Sequence, residues 1–264
     1  MTRENLVALA ALNRKHLYEQ RSVVEALISK FTNPVDTIGT LITEKDFEKE
    51  LEEFKKLDSL NVTFVPGIEL NCPERIGLYV RTKGDIKRII KCQKIAVVGT
   101  RDMSFYGKEM TQAIIEKISR EDPSAVIVSG LAIGIDTVAH RAALDCGLAT
   151  IPVYGSGLEK VYPSCNTRLA AEIENNSNCA VISPIPPGMS PLAINFINRN
   201  DVIAQLCERV IVVESKLKGG AMVTARYAND YGKEVYAVPG RLTDVRSLGC
   251  NHLIESKIAE LYAI

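Results

Sequence analysis

Glycine-rich turns beside cations are the part of this sequence that could do chemistry. Three apolar runs end in such turns, which contribute Gly99, Thr100 and Arg101 (VVGTR), Ser129, Gly130, Ala132, Gly134 and Asp136 (VSGLAIGID), and Gly155 and Gly157 (VYGSGLE). Glycine lets backbone N–H groups approach a ligand, and a helix that begins there adds the positive end of its dipole. With Arg101 beside them, these turns predict a site for an anion such as a phosphate.

A fourth turn, in ESKLKGGAMVTARYA, has the same character. Lys216 and Lys218 precede Gly219 and Gly220, and Thr224 stands at a plausible helix start. A lysine-rich and glycine-rich turn between a strand and a helix also suits phosphate. Two lysines on an exposed loop are, however, commonplace in any protein.

An aromatic and a guanidinium lie three positions apart in INFINRND. If this stretch is helical, Phe196 and Arg199 share one face, with Asn200 next to them. Such a pair can hold a base and a phosphate of single-stranded nucleic acid. Tyr162 and Pro163 in EKVYPS fit equally well as a stacking platform or as loop core.

Purely structural explanations apply to several of these residues. Strand-to-helix turns of any α/β protein need glycine for tight turning and close packing. Asp136 fits a helix N-cap that holds its turn. His140, one helical turn later, fits a packed residue, since no nucleophile or carboxylate is visible as its partner.

The elements that position these turns alternate regularly from Lys94 onward. Six short apolar runs are separated by longer helical stretches: KIAVVG, SAVIVSG, ATIPVYG, CAVISP, RVIVVES and EVYAVP. Apolar strands alternating with helices predict an α/β fold with a doubly wound, mainly parallel sheet covered on both faces. Ligands bind such sheets at the carboxyl ends of the strands, where the glycine turns lie.

Before this region the pattern is mostly helical. NLVALAAL, SVVEALISKF and TEKDFEKELEEFKKL have helical spacing, and the charges of the last suit a solvated face. NVTFVP and IGLYVRT then predict two strands that could extend a neighbouring sheet. We therefore divide the chain into a small helical N-terminal region, residues 1–57, and a larger domain, residues 58–264.

The composition is that of a globular protein and excludes several kinds of site. The 264 residues are 46% hydrophobic and 24% charged, and 32 Lys and Arg balance 32 Asp and Glu, so affinity for nucleic acid must come from a local patch. The seven scattered cysteines predict neither a zinc site nor a disulfide framework, and no signal peptide or membrane span is visible, which favours the cytoplasm. Neither G-x-G-x-x-G nor a P-loop occurs, and we expect no cofactor.

The motifs in their order resemble the DNA-processing protein A family, also called Smf. They run from VVGTR through SGLAIGID, VYGSGLEKVYP, SPIPPG, GGA and VYAVPG, and cover about residues 60 to 257. The resemblance implies an extended Rossmann-like fold that binds single-stranded DNA without enzymatic activity, forms a homodimer and helps load a RecA-type recombinase during natural transformation. It places single-stranded DNA against Arg101, the SGLAIGID and GSG turns and the Phe196 and Arg199 region.

Three positions depart from the family pattern. Asp201 stands where the family has a cation, Gly219 where it commonly has serine, and Cys250 where it has threonine. Asp201 predicts one DNA contact fewer. The winged-helix-like C-terminal domain of many relatives has no counterpart in the sequence. The alternative function is a nucleotide-binding or phosphoribohydrolase-like enzyme on the same scaffold, which KGGAMVTAR disfavours because it lacks the glutamate of PGGxGTxxE.

Overall fold

The computed structural model of the chain describes residues 2–18 and 42–263. Two helices come first, α1 (Arg3–Lys15) and α2 (Glu44–Ser59), and they pack against each other. Thr2 caps α1, and Thr43 and Asp46 form a capping box at the start of α2. Residues 22–31, predicted as a further helix, lie outside the described residues.

A parallel six-stranded sheet forms the centre of the molecule, as the sequence predicted. Its order is β5-β4-β3-β7-β8-β9, and each neighbouring pair is parallel. The strands are β3 (Lys94–Val98), β4 (Val126–Ser129), β5 (Ala149–Pro152), β7 (Arg209–Val212), β8 (Glu234–Ala237) and β9 (Glu260–Leu261). β3, β4 and β7 are apolar because helices cover both faces of the sheet.

The connections are helical. The remaining helices are α3 (Ile86–Lys91), α4 (Phe105–Glu121), α5 (Ile135–Asp145), α6 (Thr167–Asn175), α7 (Ala193–Leu206), α8 (Gly220–Asp230) and α9 (Leu248–Glu255). Gly147 and Gly232 follow α5 and α8 with positive φ, as predicted for glycines just beyond a helix end. α8 begins four residues before Thr224, because Gly219 rather than a threonine occupies its N-cap.

A second, antiparallel sheet extends the first. Its order is β1-β2-β6, with β1 (Thr63–Pro66), β2 (Gly77–Arg81) and β6 (Val181–Ser183). The sequence placed CAVISP in the parallel sheet, which is wrong: β6 pairs with β2. One parallel bridge, Val153 to Ile182, links β6 to the chain that continues β5. This junction explains how the two predicted early strands extend a neighbouring sheet.

The N-terminal helices share a core with the small sheet. Val7 and Leu12 of α1, and Phe54 of α2, belong to a buried apolar cluster that includes Phe64 of β1 and Leu131, which lies in the SGLAIGID turn. The helical region therefore packs behind one of the glycine turns. The division at residue 57 stays a prediction, since α2 ends at Ser59 and shares its core with the small sheet.

No helix within residues 2–18 and 42–263 is both long enough and apolar enough to cross a membrane.

Candidate nucleic-acid cleft

A cleft of about 490 Å³ opens at the carboxyl ends of β3 and β7. The chain winds from β3 to β4 and β5 in one direction, and β7 and β8 lie on the other side, so the strand order reverses between β3 and β7. Such a switch point is where open α/β sheets bind ligands, because the turns on either side diverge and leave a crevice.

Most of the residues predicted from the sequence meet in this cleft. Its lining includes Gly99, Thr100, Arg101, Ala132, Asp136, Phe196, Arg199, Asn200, Lys218, Gly219, Gly220 and Thr224. Gly130 lines a smaller adjoining slot of about 60 Å³, which shares Arg101 and Arg199 with the cleft. Three of the four predicted glycine turns and the first half of α7 therefore converge at one edge of the sheet.

A buried ion pair forms the floor of the cleft. The Arg199 Nη1 atom lies 3.7 Å from an Asp136 carboxylate oxygen, and both side chains are 6% exposed. The Arg199 guanidinium lies directly over the Cα of Gly130, where a Cβ would overlap it. The Arg199 Nε atom has no hydrogen-bond partner among the described residues. The pair thus leaves donor capacity of Arg199 unused beside the cleft.

Asp136 acts on its own turn but is not the N-cap of α5. The helix begins at Ile135 with Gly134 as its N-cap, and the Asp136 carboxylate accepts hydrogen bonds from the N–H groups of Gly130 (3.1 Å) and Ala132 (3.3 Å). These are amides that the sequence assigned to a phosphate. The structure gives them a carboxylate of the protein itself, because the helix starts two residues earlier than a capping role for Asp136 requires.

Burial sets the electrostatics of this pair. Loss of hydration raises the pKa of the Asp136 carboxyl, against the opposing effects of the Arg199 charge and the two amides. Burial also lowers the pKa of Arg199, although Asp136 favours the charged guanidinium. The Arg101 charge lowers the pKa of Arg199 further, because the two cations lie close to each other beside the cleft.

An aromatic cluster forms one wall. The Phe196 ring lies 5.6 Å from the Arg101 guanidinium and 5.9 Å from that of Arg199. Tyr162 stacks at a tilt against Phe196, with ring centroids 5.3 Å apart, and is exposed. Gly155 lies beneath, where a Cβ would come within 2.7 Å of the Phe196 ring. Tyr162 is therefore a platform at the mouth of the slot rather than loop core.

The start of α8 forms the opposite wall. No side chain caps this helix at Gly219, and the first N–H groups of a helix have no partner within it. Lys216 and Lys218 precede this terminus, and both line the cleft. Asp102, on the β3 side, lies 3.7 Å from the Lys216 Nζ atom and 3.2 Å from Arg246. An open helix N-terminus with two lysines is suited to an anion.

The other predicted residues support the cleft from behind. The Ser129 hydroxyl donates to the carbonyl oxygen of Val97. Gly134 has φ of 82°, and a Cβ there would overlap the carbonyl oxygen of Thr100. Gly157 is buried, and its N–H donates to the Met189 carbonyl oxygen. Among the described residues, Ser129, Gly134, Gly155 and Gly157 line neither the cleft nor the slot.

His140 is packed in the core, as the sequence suggested. It is fully buried, and its Nδ1 atom lies 2.7 Å from the Thr150 hydroxyl. Burial, with a smaller effect from the Arg199 charge, lowers the pKa of His140 to about 3. The imidazole is therefore neutral at physiological pH.

Asp201 lines neither the cleft nor the slot, and the expected loss of a DNA contact at this position stays a prediction. Its carboxylate pairs with the buried Arg75 guanidinium and accepts hydrogen bonds from Gln205 and the Tyr231 hydroxyl. Residues two apart on a helix point to different faces, which separates Asp201 from Arg199. Its partner Arg75 is distant in sequence, and no local pattern could have identified it.

Sequence analysis also missed residues of the cleft. Ile197 and Asp102 line it, and both are exposed. Glu214, at the end of β7, is buried and accepts hydrogen bonds from the Ser104 N–H and hydroxyl, which fixes the start of α4 beside the GTR turn. A glutamate directly after a strongly apolar run, as in RVIVVES, is the sequence signal that could have identified Glu214.

These features define an α/β protein with an anion-attracting and aromatic cleft at the switch point of its sheet. Residues 70–263 match the family model described as DNA recombination-mediator protein A. The chain therefore belongs to the DNA recombination-mediator protein A family.

Similar proteins support this assignment. The chain is 44% identical over 173 residues to the DNA processing protein DprA of Streptococcus pneumoniae, a region that covers 66% of this chain and 59% of that protein. It is 41% identical over 162 residues to the protein Smf of Escherichia coli, which covers 61% and 42%. The matched part thus spans about half the length of these curated relatives.

Two solved structures share the fold. The X-ray structure of DNA processing protein A from Streptococcus pneumoniae aligns with a TM-score of 0.76 and 32% identity over 99% of this chain and 95% of that one. DNA processing protein A from Helicobacter pylori aligns with a TM-score of 0.66 and 29% identity over 76% and 90%. The Helicobacter pylori protein has a unique single-stranded DNA binding mode.

Proposed function

We propose that this protein is a single-stranded-DNA-binding recombination mediator, and that the cleft between β3 and β7 holds the strand. The main observation in its favour is that the two walls of the cleft differ in chemistry. One wall is the open start of α8 with Lys216 and Lys218, and the other is Phe196 with two guanidinium groups near its ring. Phosphates suit the first wall and bases the second.

The cleft favours a single strand through its chemistry. Aromatic and guanidinium surfaces stack on the faces of bases, which a duplex keeps buried in its own stack. Contacts to backbone phosphate are independent of sequence and depend strongly on salt. We therefore expect sequence-tolerant binding of single strands with modest competition from duplex.

The partners belong to the same proposal. In this proposal the protein shields a DNA strand, helps a RecA-type recombinase to load in natural transformation, and acts as a homodimer in the cytoplasm. The description of the matching family as a recombination mediator supports the recombination role. The proposal also includes that the protein is not an enzyme. Its support is that the lining carboxylates, Asp102 and Asp136, are each paired with cations.

The test is fluorescence anisotropy with a labelled single-stranded oligonucleotide across a salt series. Arg101→Ala removes an exposed cleft cation, so we expect weaker binding and a salt slope reduced by about 0.7, the value for one phosphate of a single strand. Arg120→Ala, at the far end of α4, is the matched control and should change neither quantity. Equal affinity and slope for Arg101→Ala and wild type would place the strand elsewhere.

A further inference from the structure

A basic surface lies at the opposite edge of the sheet from the cleft. The segment RTKGDIKRIIKCQK, residues 81–94, holds six cations and one acid, although the 32 Lys and Arg of the whole chain only equal its 32 Asp and Glu. It comprises the end of β2, the short helix α3 and the start of β3. Because β3 runs from here to the cleft, its five residues, about 16 Å of strand, separate the two places.

Two of the six cations form ion pairs within the protein. Arg81 pairs with Glu174, and the buried Lys94 Nζ atom lies 3.1 Å from Glu208 and donates to two backbone carbonyls. The other four are exposed: Lys83, Lys87, Arg88 and Lys91. Within residues 2–18 and 42–263, no ion pair reaches any of these four.

The arrangement of α3 is unfavourable for the helix itself. Lys87 and Lys91 are four residues apart and therefore stand on one face, where like charges repel. Both line a shallow groove of about 650 Å³. Glu69 lines it too, and Asp85 caps the helix, but the Glu208 carboxylate is already bound to Lys94. Four cations without an ion pair among the described residues, against two acids, leave an excess of positive charge.

An amide-rich loop adjoins these cations. The Lys83 Nζ atom donates to the Asn175 side chain at 2.8 Å, and a Cβ on Gly84 would overlap the carbonyl oxygen of Ser177. Asn175, Ser177 and Asn178 are exposed. Lysine and arginine beside asparagine and serine are the side chains that proteins use for contacts to the phosphates and sugars of nucleic acids. We call the four free cations and these three loop residues the α3 surface.

We propose that the α3 surface is a second contact for the sugar-phosphate backbone of a DNA strand. It has charge and hydrogen-bond donors but no exposed aromatic side chain among its seven residues, so it suits backbone contact without base stacking. This inference rests on the proposed function only in that one strand would reach both places. A strand long enough to leave the cleft would then gain affinity from the opposite edge of the sheet.

The experiment compares oligothymidines of two lengths, one of about six nucleotides, within the size that a single binding module covers, and one several times longer. The variant is Lys87→Gln, Arg88→Gln and Lys91→Gln together. We expect unchanged affinity for the short oligonucleotide. For the long one, we expect about tenfold weaker binding at low salt and a salt slope smaller by about 2, the value for three phosphates.

The matched control is Lys45→Gln, Lys49→Gln and Lys55→Gln, which removes the same charge from exposed positions of the acid-rich helix α2. Its affinity for both oligonucleotides should equal that of wild type. A double variant, Lys87→Gln and Arg88→Gln, should lose part of the slope and keeps the test valid if the triple variant folds poorly.

Unchanged affinity and slope on the long oligonucleotide would overturn the proposal and leave the α3 surface to an acidic protein partner or to solvent. Failure of the proposed function has a different signature. In that case Arg101→Ala would leave binding of the short oligonucleotide unchanged, whatever the α3 surface does to the long one.

Discussion

Arg199 and Asp201 lie two residues apart on α7, yet their ion pairs differ in kind. Arg199 pairs loosely with Asp136, leaves its Nε atom without a partner among the described residues and lines the cleft. Asp201 is closely paired with Arg75 and accepts further hydrogen bonds from Gln205 and Tyr231. An unsatisfied buried cation beside a cavity is suited to a ligand, whereas a satisfied pair away from it fixes the helix.

We expect the largest effect on stability when the ion pair of Asp201 is broken. Asp201→Ala leaves the buried Arg75 guanidinium without its carboxylate, which should reduce the free energy of unfolding by about 3–5 kcal/mol. Urea denaturation measures this loss, with the exposed Asp230→Ala as control. Binding by the folded variant should keep the wild-type salt slope. A small loss of stability with an altered slope would instead place Asp201 at the DNA.

A second variant displaces Arg199 from its position beside the cleft. Gly130→Ala puts a methyl group where the Arg199 guanidinium lies, so the guanidinium must move, at a cost of about 1–3 kcal/mol. We expect clearly weaker binding of single-stranded DNA in anisotropy. Gly147→Ala is the control, because Gly147 lies outside the cleft, has open space for a Cβ and, with φ of 74°, also costs stability when replaced. Equal binding by both variants would show that the position of Arg199 is unimportant.

The pH dependence of stability extends the comparison, because burial and, to a smaller extent, the Arg199 charge lower the pKa of His140 and keep it neutral. The pKa of His140 is lowered to about 3, so the unfolded chain binds a proton more readily, and stability is complete above about pH 6.5 and falls as the pH drops towards 3. We expect His140 to cost about 1 kcal/mol of stability between pH 7 and pH 5.5.

Denaturation at the two pH values tests this, with His140→Gln expected to lose that part of the pH dependence. His252→Gln, at an exposed position, should retain it. An equal pH dependence in wild type and His140→Gln would mean that the imidazole is not held neutral in the fold.

The smallest effect concerns a third, exposed pair. Asp102 contacts Lys216 and Arg246 at the edge of the cleft, and its side chain is 61% exposed. It competes with a DNA phosphate for Lys216, so Asp102→Asn should tighten binding about twofold, within the range of exposed pairs. Anisotropy at low salt shows this best, because salt screens the pair. Weaker binding by Asp102→Asn would mean that Asp102 positions Lys216 for the strand.

The sequence predicted features that depend on neighbouring residues better than features that depend on residues distant in the chain. Apolar runs identified the parallel strands, and glycines identified the turns of the cleft, because both are local signals. β6 was misplaced because a strand of only three residues, Val181–Ser183, fits either sheet. The role of Asp136 depends on the residue at which α5 begins. The role of Asp201 depends on Arg75, which lies 126 residues away in sequence. No spacing rule gives either fact.

The small sheet also constrains the order in which the chain can be completed during synthesis. β2 pairs with β1 at once, but its other edge pairs only with β6, whose residues emerge about 100 positions after Arg81. Until then the hairpin has an open edge, and two strands alone are marginal in water. β3, β4 and β5 of the parallel sheet are therefore synthesised before β6 completes the small sheet against which the N-terminal helices pack.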